Sequence, residues 1–178
     1  MSERAQPIII IGFMAAGKTT VAAALAERLG CGLIDLDHFI EEREGRSIRA
    51  IIDEDGERKF REIESAALRD ALKTNSPSVI ALGGGAWTIE RNRTMIDEHH
   101  GHTVWLDAPF DLCWRRIKDG SNIRPLAREE DKARQLYDER RPLYSQAEFR
   151  MTVNGSLSAQ AIAEIIVTAL ALQSKGEQ

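Results

Sequence analysis

Apolar and polar positions alternate along the chain in blocks that predict strands and helices in turn. The four consecutive isoleucines Ile8–Ile11 follow Pro7 and end at Gly12. An uninterrupted β-branched run predicts a strand buried on both faces, as strands of a parallel sheet are. The alanine- and leucine-rich segment Lys18–Leu29 stops before Gly30, which is typical of a helix with a glycine beyond its last turn. Together these segments predict a strand, a glycine-containing loop and a helix.

The same alternation continues through the rest of the sequence. Four further apolar runs predict strands: Leu33–Ile34, Ser78–Leu82, His102–Leu106 and Met151–Val153. Five segments with apolar residues at spacings of three and four predict helices: Glu57–Lys73, Glu90–Glu98, Phe110–Ile117, Glu129–Ala147 and Ser158–Gln173. This alternation indicates an α/β sandwich around a parallel sheet. Because no repeat or Pro/Gly-rich linker interrupts residues 1–178, we expect one domain, with Gln173–Gln178 as a loose tail.

Composition narrows the class of protein. Of the 178 residues, 43% are hydrophobic and 29% are charged, and no apolar run approaches the roughly 20 residues that span a bilayer. We therefore expect no membrane span, and the short polar N-terminus, which lacks a secretory signal pattern, predicts a cytoplasmic protein. The net charge of −4 argues against a nucleic-acid-binding surface. The two cysteines, Cys31 and Cys113, indicate neither a disulfide framework nor a zinc site, because they are far apart in the sequence.

The segment Gly12–Thr19 fits the pattern G-x-x-x-x-G-K-[ST]. In that pattern, backbone N–H groups and a helix N-terminus hold phosphates, Lys18 reaches the β- and γ-phosphates, and the Thr19 hydroxyl binds Mg²⁺. Gly12 and Gly17 permit a tight backbone path that a Cβ would obstruct. The alternative is a strand-to-helix turn that uses glycine for its geometry alone. The position of the segment between a buried strand and a helix favours binding of ATP or GTP.

Asp35 and Asp37 follow the second predicted strand, so we expect them at the carboxyl end of the sheet, on the same rim as the phosphate loop. In a strand-like segment, alternate residues face the same way. One carboxylate is then expected to serve Mg²⁺, and the other to accept a hydrogen bond from a substrate hydroxyl. The alternative is that both aspartates cap a helix that begins near His38.

A long predicted helix opens with Gly56–Glu64, in which Arg61 and Glu64 are three residues apart and share one helix face. A glutamate in that position can orient a guanidinium for bidentate recognition of a carboxylate, and Phe60 can form an apolar wall beside it. The alternative is a solvated helical salt bridge.

Three consecutive glycines, Gly83–Gly85, come directly after the third predicted strand. Glycines in series cost chain entropy, so they usually mark a place where the backbone closely approaches a ligand or another element. The alternative is a plain flexible loop, which the position at the carboxyl end of a strand disfavours.

Two later segments contribute arginines. Arg124 lies between two predicted helices, after a possible hinge at Gly120, where a mobile arginine can close over the γ-phosphate. The alternative is an ordinary polar loop. Pro142 is expected to interrupt a helix and so turn Arg140 or Arg141 inward, toward an anionic substrate. The alternative for these two residues is a solvated helix surface.

Taken together, these motifs resemble the shikimate kinase family, and the resemblance covers nearly the whole chain. Six family motifs occur here in the family's order: the phosphate loop, D-x-D, G-E-x-x-F-R-x-x-E, G-G-G-A, R-P-L and R-x-P-L-Y. The resemblance implies a three-layer α/β/α fold of the P-loop NTPase type with a five-stranded parallel sheet. It also implies a small substrate-binding helical segment at residues 37–64 and a mobile lid at residues 115–128.

The resemblance further implies roles for individual residues. Lys18, Asp37 and Arg124 would be catalytic. Shikimate would be bound by Asp37, Arg61, Gly84 and Arg140, where Arg140 rather than Arg141 matches because the family arginine lies two positions before the proline. The nucleotide would be bound by Ala15, Ala16, Gly17, Lys18, Thr19, Thr20 and Arg124, with either Arg115 or Arg116 as a further contact. Mg²⁺ would be bound by Thr19 and Asp35.

The implied reaction is transfer of the γ-phosphate of ATP to the 3-hydroxyl of shikimate, with Mg²⁺ as cofactor, by a cytoplasmic monomer. One rival is another small-molecule P-loop kinase, such as gluconate kinase, which the G-G-G-A and R-x-P-L-Y motifs disfavour. A second rival is a catalytically silent nucleotide-binding homologue, which the presence of Lys18, Thr19 and Asp37 disfavours.

Ala15 departs from the family pattern, because many members have glycine at this position of the phosphate loop. Alanine is acceptable there if its φ is negative. On that condition, we expect altered loop stiffness or nucleotide affinity rather than lost activity.

Overall fold

The computed structural model describes residues 6–74, 78–120 and 129–176. Five strands form its sheet: β1 (Ile8–Ile11), β2 (Gly32–Asp35), β3 (Ser78–Ala81), β4 (His102–Asp107) and β5 (Phe149–Thr152). All pairings are parallel, and the strand order is β2-β3-β1-β4-β5. The predicted five-stranded parallel sheet is therefore confirmed.

Helices separate the strands and complete the predicted three-layer α/β/α fold. They are α1 (Lys18–Leu29), α2 (Leu36–Glu44), α3 (Ile48–Asp55), α4 (Glu57–Leu72), α5 (Glu90–Glu98), α6 (Phe110–Asp119), α7 (Glu130–Tyr144) and α8 (Ala159–Gly176), with a short 3₁₀ helix at Ala86–Thr88. Within the described ranges, none of these helices is long and apolar enough to cross a membrane.

Strand β1 lies at the centre of the sheet, between β3 and β4. Its residues Ile9, Ile10 and Ile11 are at most 1% exposed, as expected for a strand covered on both faces. Because the carboxyl ends of parallel strands share one edge of a sheet, the segments after β1, β2 and β3 come together there. This edge carries the phosphate loop, the two aspartates and the three glycines.

The first difference from the sequence prediction concerns Asp35 and Asp37, which do not lie in one strand-like segment. Asp35 ends β2, and its Oδ1 accepts a hydrogen bond of 3.2 Å from the His38 backbone N–H, so it caps α2. Asp37 lies in the first turn of that helix. The N-cap bond starts the helix at Leu36, two residues before the start near His38 that was considered from the sequence.

Two later helices also differ from the sequence prediction. Helix α7 is not interrupted by Pro142 and runs through it to Tyr144. Because Pro142 lies in the last turn, the helix loses one hydrogen bond near its end, and Ser145 N–H still bonds the Arg141 carbonyl. Helix α8 continues to Gly176, so the predicted loose tail from Gln173 is wrong for its first residues.

Candidate active site

The phosphate loop, Gly12–Thr19, follows a backbone path that favours glycine at two positions. Gly12 has φ +147° and Gly17 has φ +102°. A Cβ added at Gly12 would lie 2.8 Å from the Leu106 carbonyl oxygen, so this position is also closed by packing. The Lys18 Nζ donates a hydrogen bond of 2.8 Å to the Phe13 carbonyl. The lysine head is thus held over the loop that the sequence predicts to bind phosphates.

Ala15 adopts a left-handed conformation, with φ +58°. The condition under which alanine is acceptable here, a negative φ, is therefore not met. The left-handed region costs an L-residue with a Cβ roughly 1–2 kcal/mol. The Ala15 carbonyl accepts a hydrogen bond of 3.0 Å from Arg116 Nη1 of α6.

Thr19 and Asp35 meet at the end of the loop. The Thr19 hydroxyl donates a hydrogen bond of 2.5 Å to Asp35 Oδ2, while Asp35 Oδ1 caps α2. The Asp35 carboxylate thus caps a helix with one oxygen and lies beside the phosphate loop with the other. A hydroxyl and a carboxylate side by side are the oxygen donors that Mg²⁺ prefers, and Mg²⁺ usually keeps several waters and takes few protein ligands. The residues present therefore fit this ion.

A cavity of about 420 Å³ lies over this edge of the sheet. Its lining includes Ala15, Ala16, Gly17, Lys18, Thr19, Thr20, Asp35, Asp37, Arg116 and Leu157. The predicted nucleotide-binding residues of the loop and both aspartates thus face one space.

Beside this cavity, four charged side chains surround the three glycines Gly83–Gly85. We call these side chains, Asp37, Arg61, Glu64 and Arg140, the Gly83–Gly85 cluster. Added Cβ atoms show what each glycine leaves room for. At Gly83 the atom would lie 2.5 Å from Asp37 Oδ1, and at Gly85 it would lie 2.6 Å from both terminal nitrogens of Arg61.

Gly84 lies between this cluster and the phosphate loop. Its added Cβ would lie 3.3 Å from Arg140 Nη1 and 3.7 Å from the Met14 backbone nitrogen. The three glycines therefore admit three different side chains against one strand end. The plain flexible loop considered as an alternative does not describe this segment.

Arg61 is held by two carboxylates of its own helix. Its Nη1 donates to Glu64 Oε2 at 2.9 Å, and its Nη2 donates to Glu57 Oε1 at 3.1 Å. Its guanidinium carbon lies 5.1 Å from the centre of the Phe60 ring. Arg61 is 22% exposed and Glu64 only 1% exposed, so the Arg61–Glu64 pair is not a solvated salt bridge.

Glu64 is the most deeply buried charge of the cluster. Burial is the main cause that raises the pKa of its carboxyl above the ordinary value, and the nearby Asp37 carboxylate also raises it. Arg61 and Arg140 act in the opposite direction, because each stabilises the ionised form. The cluster is thus electrostatically coupled across three helices, α2, α4 and α7.

Helix α7 brings Arg140 to the cluster, where this side chain is 9% exposed. Its neighbour Arg141 points elsewhere and donates to Asp107 Oδ2 at 3.1 Å. Arg140 turns inward because of its position on the helix face, since Pro142 does not break the helix.

Two aromatic residues that were not among the predicted site residues connect α7 to the glycine segment. The Tyr144 hydroxyl donates to the Gly84 carbonyl at 2.5 Å, and Trp87 Nε1 donates to the Leu143 carbonyl at 2.8 Å. Tyr144 is the last letter of the R-x-P-L-Y motif, which was the available signal. Burial raises the pKa of Tyr144 to about 12, so its hydroxyl remains a donor.

Arg124, the candidate lid arginine, lies outside the described residues. Of the predicted lid at 115–128, the structure describes residues 115–120, and these form the end of α6 followed by Gly120. In this region, Arg116 is the arginine that reaches the phosphate loop.

A model of the shikimate kinase family matches residues 14–171, which is most of the chain. The chain belongs to the shikimate kinase family. It is 40% identical to the shikimate kinase of Ruegeria pomeroyi over 167 residues, which cover 92% of this chain and 84% of the relative. It is 39% identical to that of a Nostoc species over 166 residues, covering 92% and 90%. The solved shikimate kinase of Acinetobacter baumannii, in complex with shikimate, has a TM-score of 0.89 and 34% identity, with 96% of both chains covered.

Membership of the shikimate kinase family confirms what the six motifs predicted about family, fold and enzyme class. These comparisons favour shikimate kinase over the two alternatives, a gluconate kinase and a catalytically silent homologue. The roles of individual residues, including Arg140, Asp37 and Thr19, stay predictions.

Proposed function

We propose that this chain is a single catalytic domain over residues 1–178 that transfers the γ-phosphate of ATP to the 3-hydroxyl of shikimate. The products are ADP and 3-phosphoshikimate, in the biosynthesis of chorismate and the aromatic amino acids. The observation that carries the proposal is the position of Gly84, whose added Cβ would lie within 4 Å of both Arg140 and the backbone of the phosphate loop. A phosphate on the loop and a carboxylate on the arginines would therefore be held a short distance apart.

The phosphate loop binds the nucleotide in this proposal. Backbone N–H groups from Ala15 to Thr20 and the N-terminus of α1 surround the phosphates, because the unpaired N–H groups of a helix start attract anions. Lys18, which lies over the loop at Phe13, adds a positive charge at the β- and γ-phosphates. The predicted role of Arg124 in this proposal is to stabilise charge at the γ-phosphate in the transition state.

Thr19 and Asp35, whose side-chain oxygens already lie side by side, would hold Mg²⁺. When bound, this ion would supply positive charge at the phosphate oxygens, where charge accumulates during phosphoryl transfer. Asp35 stays fixed for this task because its second carboxylate oxygen caps α2.

The Gly83–Gly85 cluster binds the acceptor. Arg61 and Arg140 bind the carboxylate of shikimate, and Glu64 keeps the Arg61 guanidinium in place through its bond of 2.9 Å. Both arginines are pre-positioned, so little side-chain entropy is lost when the acid binds. The Gly84 segment supports the ring between the two arginines and the loop.

Asp37 orients the 3-hydroxyl and accepts its proton. The hydroxyl oxygen forms the new bond to the γ-phosphorus while the bond from that phosphorus to the β,γ-bridging oxygen breaks, and ADP leaves with the electron pair. Because the transition state is loose, positioning and charge stabilisation contribute more than the basicity of Asp37.

We further propose that the enzyme acts as a cytoplasmic monomer and binds no nucleic acid. The net charge of −4 supports the last point, because the phosphate backbone of a nucleic acid is bound by clustered positive charge.

The test is ADP release by the purified full chain with ATP and Mg²⁺, in the presence of shikimate, gluconate or neither acid. Release that depends on shikimate alone is expected. Release that depends on gluconate identifies another small-molecule kinase, and ATP binding without release for either acid identifies a silent homologue. Lys18→Met serves as the control for contaminating kinases, since it removes the charge at the transferred phosphate.

A further inference from the structure

The left-handed turn at Ala15 needs a stabilising contact. In the described part of the chain, the non-glycine residues with positive φ are Ala15 and His100, and Ala15 is the one that lies in the phosphate loop. Glycine adopts this conformation readily, whereas a Cβ disfavours it. Alanine at position 15 therefore favours departure of the loop from its phosphate-binding conformation. Glycine at this position would not have that effect.

Arg116 supplies such a contact from a distant part of the sequence. It lies 101 positions after Ala15, and its Nη1 donates to the Ala15 carbonyl at 3.0 Å. The same nitrogen lies 3.7 Å from the position of an added Cβ on Gly17. The guanidinium thus extends over the turn from Ala15 to the residue that caps α1.

Two further hydrogen bonds of the loop have a different acceptor. Ala16 N–H and Lys18 Nζ both donate to the Phe13 carbonyl, at 3.2 Å and 2.8 Å. Neither of them restrains the Ala15 carbonyl. A bond from a charged guanidinium is stronger than one between neutral groups, so Arg116 is well suited to this task.

We propose that Arg116 is a positioning residue for the phosphate loop, which holds the Ala15 carbonyl and so keeps the loop in the conformation that binds the phosphates of ATP. This inference rests on the proposed function in that ATP is the ligand, but it does not depend on the acceptor. The arginine compensates for alanine at a position where glycine would need no such help.

The proposal has a measurable consequence because only the binding-competent loop takes up ATP. When a fraction of the protein leaves that conformation, the apparent dissociation constant rises in inverse proportion to the fraction that remains. Loss of Arg116 should therefore matter when residue 15 is alanine and matter less when it is glycine.

The experiment is a double-mutant cycle of Ala15→Gly and Arg116→Met, with the dissociation constant of ATP measured by calorimetry in Mg²⁺ and without acceptor. With Ala15 present, Arg116→Met should weaken ATP binding about tenfold, and with glycine at position 15 by less than about threefold. If Arg116→Met does not fold, Arg116→Lys, which keeps the charge on a different donor geometry, runs the same cycle.

Two outcomes overturn the proposal. An equal loss in both backgrounds means that Arg116 acts on the nucleotide directly, and no loss in either background means that its bond to Ala15 is incidental. The control is Arg28→Met, because Arg28 is an exposed arginine in the last turn of α1, far from the loop, and is paired with Glu164. This variant should leave ATP affinity unchanged in both backgrounds. Because acceptor is absent, failure of shikimate phosphorylation would leave this result intact.

Discussion

The phosphate loop is a run of eight residues that follows β1 and ends in the first turn of α1, whereas the Gly83–Gly85 cluster gathers side chains from α2, α4 and α7 around one short segment. The loop presents mainly backbone N–H groups, and its shape follows from the φ angles of Gly12, Ala15 and Gly17. The cluster presents side-chain charges, and its shape follows from the space that each glycine leaves. The two regions meet at Gly84.

On the proposed function, the difference between the two regions would keep the nucleotide and the acid separate. In the loop, one backbone path serves any phosphate, so changes there should act on the nucleotide. In the cluster, Glu64 and Arg140 are 1% and 9% exposed, so their charges interact strongly and any change should act on the acid. Variants of each region should therefore alter the Michaelis constant of one substrate far more than that of the other.

The largest effect is expected for Arg140→Ala. This change removes one of the two arginines proposed to bind the carboxylate of shikimate, and it leaves the buried Glu64 with fewer positive charges nearby. Truncating one member of a buried charge pair costs about 2–5 kcal/mol. We expect kcat/KM for shikimate to fall about 100-fold or more, chiefly through KM, with the KM for ATP nearly unchanged. Steady-state kinetics with each substrate varied in turn measures the split.

Arg141→Ala is the matched control, because Arg141 is adjacent in sequence, 46% exposed and bonded to Asp107 instead. It should leave the KM for shikimate unchanged. Equal losses for both substrates in Arg140→Ala would contradict the assignment of Arg140 to the acid.

Gly85→Ala should have the next largest effect. Its Cβ would lie 2.6 Å from both terminal nitrogens of Arg61, so the guanidinium must move. Small displacements of binding groups cost up to about 100-fold, and we expect a KM for shikimate raised about tenfold or more. Gly30→Ala separates crowding from backbone strain, since Gly30 has φ +62° and nothing within 4 Å of an added Cβ. It should lower the melting temperature without a change in either KM.

A comparison of the glycine segments with the rest of the site shows what could be predicted from sequence. The phosphate loop is a local motif, so its position between β1 and α1 followed from the pattern of a buried run and a helix. The spacing of Arg61 and Glu64 is also local, but the contact between Gly85 and Arg61 joins distant segments and has no local signature. Only the fold reveals that each glycine leaves room for at least one charged side chain.

The wrong predictions arose where two local preferences compete. Asp35 both ends β2 and caps α2, and the strand-like pattern does not continue to Asp37 because Asp35 Oδ1 bonds the His38 N–H. Pro142 breaks a helix in its interior, but it is tolerated in the last turn of α7. The positive φ of Ala15 could not be derived from its residue type, because alanine disfavours it and a distant residue, Arg116, supports it.

Tyr144→Phe should have a moderate effect. It removes the hydroxyl that bonds the Gly84 carbonyl at 2.5 Å and leaves a buried acceptor unpaired, at a cost of about 1–3 kcal/mol in the free energy of unfolding. The KM for shikimate should rise several-fold, because Gly84 and Arg140 lose a common anchor. Urea unfolding and steady-state kinetics measure the two effects.

Tyr137→Phe is its control on the same helix. The Tyr137 hydroxyl donates to the Ala108 carbonyl at 2.9 Å, and its ring packs against Phe13 of the phosphate loop. A similar loss of stability with an unchanged KM for shikimate is expected. A rise in that KM as large as for Tyr144→Phe would remove the distinction between the two regions.

The smallest expected effect is the pH dependence that Glu64 contributes to stability. Burial raises its folded-state pKa above the ordinary value of 4.5, so the unfolded chain releases this proton at lower pH than the folded protein. The free energy of unfolding of the wild type, relative to Glu64→Gln, should therefore fall as the pH rises from 4.5 through the folded-state pKa, and then level off. Urea unfolding at a series of pH values measures this difference, and a rise over the same range would mean that Arg61 and Arg140 outweigh burial.

The most direct test of the central claim, that Arg140 in the Gly83–Gly85 cluster recognises the carboxylate of the acceptor, compares shikimate with its methyl ester, which lacks the negative charge. The ratio of kcat/KM for the acid over the ester should be about 100-fold or more in the wild type, and it should fall at least about tenfold in Arg140→Ala. The same ratio in both proteins would show that the carboxylate is recognised elsewhere and would contradict the account.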